Sequence, residues 1–420
     1  SRTGKLSPPR LGILNWVLEA CERSQMRDVK VVPVSIAFDR IAEIEDYVSL
    51  QRGLPKRKES LAWFFNYVFG MKEPYGRVYV RYAEPLDLAD YLEGEGIDVT
   101  APRGLSTAAR VAFDTCTRIE QATPIKSADV LCMVLLGANG RALTGREVFQ
   151  RANEIATVIQ ERNPPTATGF SLDNEEQVQA AVLAMRRSKL IKRYARGAQP
   201  VYFIPEDQQL AAAYYRNTIT HYFLAAALGE VALALSVDDI ALPGRAGLQQ
   251  RVDALRDLLK FEFFFSRREV FWEDVLQEVA RRYPRWESGD VSIQRQLRDQ
   301  PPLFGHAILR SILEAYHVMA STLALMQGEA VTDTKGFTAK LLDHGRELLL
   351  RKLIDSESSL SRDLFATGLK LAEHRGLLAG DADKLAQHRT AFATETTEAL
   401  AAVNRLQASY DRAWHGGAMS

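Results

Sequence analysis

Cysteine is scarce in this chain. Cys21, Cys116 and Cys132 are the only three in 420 residues, odd in number and far apart. That leaves no disulfide framework and no thiolate metal pattern, and it fits a compartment that keeps thiols reduced. Charge of one sign is lacking too: 53 Lys+Arg balance 53 Asp+Glu. Without a global positive field, general nucleic-acid binding has little electrostatic footing, although local basic patches remain possible. Long apolar runs are missing, since a membrane-spanning helix needs about 20 such residues. The nearest approach, Tyr222–Leu235, is broken by Glu230. Familiar catalytic signatures are absent as well: no G-x-S-x-G, G-x-x-x-x-G-K-S/T, G-x-G-x-x-G or H-E-x-x-H. None of the histidines at 221, 306, 317, 344, 374, 388 and 415 has an aspartate five positions later. A composition of 46% hydrophobic and 25% charged residues is otherwise ordinary and long enough for two or more domains.

The first hundred residues read as α/β. Leu11, Leu14, Leu18 and Cys21 share one helical face after Pro8-Pro9, which suits a helix start. Val29–Ile36 is nearly continuous in apolar residues, as a strand buried on both faces would be. Pro33 inside it cannot donate to a ladder, so it marks an edge, a bulge or a distortion beside a pocket. Arg77–Tyr82 alternates like a half-buried strand. A polar, turn-rich stretch near Gly94–Gly104 divides an α/β part, residues 1–100, from a mainly α-helical part, residues 101–420. In the second part Thr144/Glu147 and Ser266/Glu269 fit capping boxes. Val148, Ala152, Ile155 and Ile159 trace a helical stripe, and Ser188–Tyr194 with Pro200–Ile204 flank Gly197 like a hairpin. Helix, helix, hairpin resembles a winged-helix unit. Two further helix-plus-turn stretches, around Phe271–Asp290 and Leu364–Leu378, read as looser versions of it.

Several segments carry chemistry. Ser1-Arg2-Thr3-Gly4-Lys5 fits either a solvated basic terminus or a phosphate cradle. In the cradle, Arg2 supplies a planar fork, Gly4 lets the backbone approach closely and Lys5 adds a point charge. Lys56 and Lys58, in a basic loop running into a helix, fit a solvated turn or an anion and lipid contact. His221, after Tyr214-Tyr215-Arg216-Asn217, fits a core histidine, and the aromatic run Phe261–Phe265 fits either core or lipid contact.

Together these segments resemble the glycerol-3-phosphate acyltransferases. The opening matches the second half of their E-G-x-R-S-R-x-G-K block, and Val31–Ile36, Asp39-Arg40, Glu43 and the Gly53–Ser60 segment follow in the family's order. Tyr82-Ala83-Glu84-Pro85 resembles F-G-E-P. Leu131–Leu136 with Leu143-Thr144, and Tyr214–Asn217 with His221, resemble the C-terminal region of the large bacterial membrane-associated members. Dihydroxyacetone-phosphate acyltransferases share the N-terminal blocks, and a non-catalytic helical or winged-helix interaction module is the alternative from another class. The resemblance implies transfer of a fatty acyl group from acyl-CoA or acyl-carrier protein to sn-glycerol 3-phosphate, giving lysophosphatidate for phospholipid synthesis. It implies no cofactor, metal or nucleic acid, and a peripheral place on lipid at the cytoplasmic face of the inner membrane. Ser1 and Arg2 fall on family positions of the glycerol-phosphate side, and Pro33 on that of the acyl side; Lys5 joins the first group by charge. The family's His-x-x-x-x-Asp pair and the Glu-Gly-x-Arg expected ahead of Ser1 have no counterpart here, so no catalytic residue is assigned and the chain alone is expected to be inactive.

Overall fold

The computed structural model describes residues 2–54, 76–93, 105–237, 244–288 and 290–415. Helix α1 (Gly12–Ser24) buries Leu18 and Cys21. They join Leu86, Leu88, Tyr91, Ala108 and Val111 in a small hydrophobic cluster of their own. Strand β1 (Lys30–Val31) pairs antiparallel with β4 (Leu86–Asp87). Strand β2 (Val34–Phe38) pairs antiparallel with β3 (Val78–Tyr82), Ile36 opposite Val80 and Phe38 opposite Val78. The expected single strand buried on both faces is therefore corrected. Pro33 splits it, and the pleat turns Ser35 and Ala37 inward while Ile36 and Phe38 stay 57% and 40% exposed. Val78, Val80 and Tyr82 extend that exposed apolar face. An unbroken apolar run cannot reveal which of its two faces is covered. Helix α2 (Ile44–Gln51) precedes β3, and α3 (Leu88–Leu92) starts at Asp87, whose side chain accepts from the Ala89 amide.

The remainder is mostly helical. Helix α4 (Thr107–Ala122) begins at a Ser106 side-chain cap. Then come α5 (Ser127–Gly137), β5 (Leu143–Thr144), α6 (Gly145–Arg162), α7 (Glu175–Arg187), β6 (Lys192–Tyr194) and β7 (Val201–Phe203). The three strands form one antiparallel sheet in the order β5-β7-β6. The Thr144/Glu147 capping box forms, Thr144 N donating to Glu147 Oε2 at 2.7 Å and Glu147 N to Thr144 Oγ1 at 3.2 Å. The stripe of Val148, Ala152, Ile155 and Ile159 is buried. The hairpin across Gly197 forms too. The two looser stretches carry no strand among the described residues. The Ser266/Glu269 box is corrected as well: the following helix starts after Arg267, with no side-chain cap.

Helices α8 (Gln209–Asn217) and α9 (Leu224–Leu235) meet through a short 3₁₀ turn. No single helix among the described residues is long and apolar enough to cross a membrane; only this pair, bent by 71°, would be by length and composition. Then follow α10 (Gly244–Leu258), α11 (Arg268–Arg282), α12 (Ile293–Asp299), α13 (Gly305–Leu325), α14 (Thr334–Leu350), α15 (Arg362–His374) and α16 (Ala382–His415), of which α10, α11, α12, α13 and α16 pack against α9. Helix α13 is buried over most of its length and touches α5, α9, α14, α15 and α16.

A buried helix end leaves amide donors with no water to meet them, which is costly unless a side chain takes them up. Glu230, on α9, does so. Its carboxylate accepts from Leu303 N at 2.8 Å, Phe304 N at 2.9 Å and Gly305 N at 2.6 Å. The same carboxylate that interrupts the apolar run in the sequence thus caps the core helix. Replacing Glu230 by Ala strands all three amides. We expect a loss of about 3 kcal/mol or more in urea unfolding, and Glu230→Gln, which keeps one acceptor oxygen, to lose less. Equal stability of Glu230→Ala and the unaltered chain would contradict this.

Candidate functional site

Distant segments converge where the N-terminal strands meet α8. Gly4 adopts φ +83°, and a Cβ there would lie 2.0 Å from the Tyr214 carbonyl oxygen, so glycine lets residues 2–5 lie flat on the helix. Asn217 Nδ2 donates to the Thr3 carbonyl at 2.8 Å. Its own Oδ1 accepts from Arg216, and Arg216 donates onward to Ala307 O and Ser311 Oγ of α13, both at 3.1 Å. The core helix therefore orients the side chain that holds the N-terminal segment. Burial lowers the Arg216 pKa to about 10, which keeps it cationic at neutral pH. Lys5 forms an ion pair with buried Glu262 and lies over the Phe263 ring, 5.2 Å from its centroid. Glu262 also accepts from Tyr316 Oη at 3.1 Å.

Two cavities open beside this junction. The smaller, about 280 Å³, lies between Lys5, Ser35, Thr123, Lys126, Thr218 and His221. Ser35 and Thr123 share a hydroxyl hydrogen bond of 2.8 Å, and Lys126 pairs with buried Asp129 at 2.8 Å. The larger, about 1240 Å³, runs along Ala83–Leu86 to Phe263, Phe264 and Phe271. Glu120 and His221 stand in the wall of both. His221 Nε2 is buried with no hydrogen-bond partner among the described residues. Desolvation lowers its pKa to about 4, opposed by a hydrogen bond to the Glu120 backbone. Desolvation also raises the Glu120 carboxyl to about 8. Both groups are neutral near pH 7, so the residues common to the two cavities present an unprotonated imidazole and a carboxylic acid.

Of the residues singled out from sequence, Arg2 is exposed, and its carbonyl accepts from Gln51 Nε2 at 2.9 Å. Arg2 and Lys5 both act on Asp363, whose carboxyl burial raises and these cations lower. Pro33 is buried, outside the walls of both cavities, and its carbonyl accepts from Ala83 N at 2.9 Å. It thereby ties the proline block to the Tyr82–Pro85 block. Ser1, Lys56 and Lys58 lie outside the described residues. Sequence reasoning missed Glu120, Thr123, Lys126 and Glu262. Only Glu262 left a signal, as the lone carboxylate inside a run of four phenylalanines. His221 departs from the expected core histidine, because its Nε2 is unpartnered and it borders both cavities.

The neutral pair makes stability depend on pH in opposite senses. Glu120 holds its proton to higher pH folded than unfolded, so its contribution is full below about pH 4.5 and lost as pH rises through about 8. His221 binds its proton less readily folded, so its contribution is lost as pH falls from about 6.5 toward 4. In denaturant titrations between about pH 5 and 8, Glu120→Gln is expected to remove a falling slope on the order of a few kcal/mol. An unchanged slope would mean that Glu120 is solvated.

A family described as glycerol-3-phosphate acyltransferase C-terminal region matches residues 47–381. Proteins of Mycobacterium bovis and of two strains of Mycobacterium tuberculosis, which carry the provisional name acyltransferase plsB1, are 34% identical over 413 residues. That is 97% of this chain and 66% of theirs, so the chain spans just under two thirds of their length. With the family match covering most of its residues, this chain belongs to the family of the glycerol-3-phosphate acyltransferase C-terminal region.

Proposed function

We propose that this chain is the C-terminal portion of a glycerol-3-phosphate 1-O-acyltransferase, which moves a fatty acyl group from acyl-CoA or acyl-carrier protein to the 1-hydroxyl of sn-glycerol 3-phosphate. The product is lysophosphatidate. The observation that carries this reading is the convergence of Thr3–Lys5, Tyr82–Pro85 and Tyr214–His221 around two adjoining cavities, in a chain of this family. In this reading residues 1–100 are the end of an α/β catalytic domain and residues 101–420 a helical domain that includes a winged-helix-like unit at 127–203. The exposed apolar face of β2 and β3 is where the rest of the catalytic domain packs.

The smaller cavity then suits the polyol phosphate: hydroxyls of Ser35, Thr123 and Thr218 and the free Nε2 lone pair of His221 pair with substrate hydroxyls, and Arg2 with the backbone of Thr3–Lys5 favours the phosphate, the Lys5 charge being taken up by Glu262. The larger groove, with Pro85, Leu86, Phe263, Phe264 and Phe271 along it, suits an acyl chain. The general base on the attacking hydroxyl is the histidine of the family's His-x-x-x-x-Asp pair, with the aspartate fixing its tautomer; that pair lies outside this sequence. The helical domain's part is positioning. It holds residues 2–5 against α8, so that the substrate phosphate meets a fixed cradle. The enzyme works as a peripheral protein at the cytoplasmic face of the inner membrane, where its product enters the bilayer.

The test is thiol release from palmitoyl-CoA that depends on glycerol 3-phosphate. This chain alone is expected to give none, and robust turnover by it would refute the assignment of catalysis elsewhere. In a longer protein carrying the His/Asp pair, Gly4→Ala must lift residues 2–5 from Tyr214. About a hundredfold loss of activity is expected, with the unfolding midpoint of the helical domain unmoved. Full activity of that variant would remove the clamp from the mechanism.

A further inference from the structure

The hairpin of β6 and β7 carries a charge pattern that the acyl-transfer site does not use. Between Gln177 and Pro205 there is no Asp or Glu, but there are Arg186, Arg187, Lys189, Lys192, Arg193 and Arg196. Residues 192–200 are all exposed, as are Arg187 and Lys189. Among the described residues none of the six cations forms an ion pair. Tyr194 is 54% exposed among them, and Leu183, on the adjoining turn of α7, 40%. The rest of the hairpin tip is Ala195, Gly197, Ala198, Gln199 and Pro200, small or neutral residues.

Neither protection of a sheet edge nor duplex binding accounts for this pattern. Lysine on an edge strand deters strand addition, and β6 is an edge strand. That covers Lys192 and Arg193 but not Arg186, Arg187, Arg196 or the exposed Tyr194. In a winged-helix protein on duplex DNA the helix before the hairpin enters the groove. Here that helix, α7, leads with Glu175 and Glu176, next to Asp173, and would set carboxylates against phosphates. Those carboxylates sit roughly 15 Å along the helix from Arg186, beyond a Debye length at physiological salt. The basic end therefore acts by itself.

We propose that the β6–β7 hairpin and the C-terminal end of α7 form the docking surface for a bilayer bearing anionic headgroups. Six cations, unpaired among the described residues, meet the negative surface, and Tyr194 and Leu183 enter the headgroup layer, where an amphipathic ring and an aliphatic side chain are favoured. A hairpin exposed from 192 to 200 can meet a plane of headgroups, and neither cavity described above reaches it. The inference rests on the peripheral-membrane part of the proposed function and gives it a surface.

All three native cysteines are buried, so Ala198→Cys provides a single accessible thiol for an environment-sensitive fluorophore. The labelled chain is mixed with phosphatidylcholine vesicles, with and without about one third phosphatidylglycerol. We expect sedimentation with the anionic vesicles only, a blue shift of the label, and loss of both on raising the salt. Each basic side chain contributes about fivefold to such binding, so Lys192→Glu/Arg193→Glu/Arg196→Glu should lower affinity by roughly a hundredfold or more. Sedimentation with a label that stays water-like would overturn the hairpin assignment while leaving peripheral binding intact. No sedimentation with any vesicle would overturn the peripheral reading itself. Undiminished binding of the triple variant, or tight binding to duplex DNA without binding to vesicles, would also overturn the proposal.

Discussion

Glu230 at the head of α13 is the contact on which most of this architecture rests. A helix buried over so much of its length as α13 can be stable only if its first amides find acceptors away from water. One carboxylate meets two of them, at Phe304 and Gly305, and takes up the Leu303 amide just ahead of the helix as well. Burial raises the Glu230 pKa, and the same amide donors pull it back down. A second buried carboxylate, Glu314, works from within α13. It accepts from Asp355 N and Ser356 N, at 3.0 and 2.9 Å, and so ties the loop before α15 to the core. Both are polar groups in an apolar core, tolerable because each is fully engaged.

From α13 a single line of hydrogen bonds reaches the candidate site. Ala307 and Ser311 hold Arg216, Arg216 holds Asn217, and Asn217 holds the Thr3 carbonyl. Gly4 permits the final approach, and Lys5 ends on Glu262, which Tyr316 of the same helix also contacts. Residues more than two hundred positions apart in the chain thus share one support. Under the proposed function this gives the helical part a reason to accompany an acyltransferase: a basic glycine-containing segment held in a fixed conformation would not need to be ordered by a substrate phosphate. The neutral Glu120 and His221 beside it come from the same burial, which disfavours charge on both.

Much of this was legible in the residues. The Thr144/Glu147 box, the Val148–Ile159 stripe and the hairpin across Gly197 depend on contacts within a few residues or on one period, and they formed as read. Ser266/Glu269 had the same spacing and failed, because the chain enters that helix one residue later, at Arg267. The strand around Pro33 was legible in position but not in its covering: the same apolar letters serve a face packed on protein and a face left open. His221 looked like core because its neighbours are apolar, and the cavities beside it are made with segments as far off in the chain as Gly4–Leu6 and Ala83–Leu86.

By itself the sequence determined the helical character of the larger part and the family, since periodicity, caps and block order are local properties of a chain. Tertiary structure alone decided that Lys5 spends its charge on Glu262, that Glu230 is a cap and not an interruption, and that six cations at 186–196 stand without carboxylate partners among the described residues. Each of those is a pairing across space. A charge has its electrostatic meaning only through its nearest opposite charge and its distance from water, and neither can be counted along the chain.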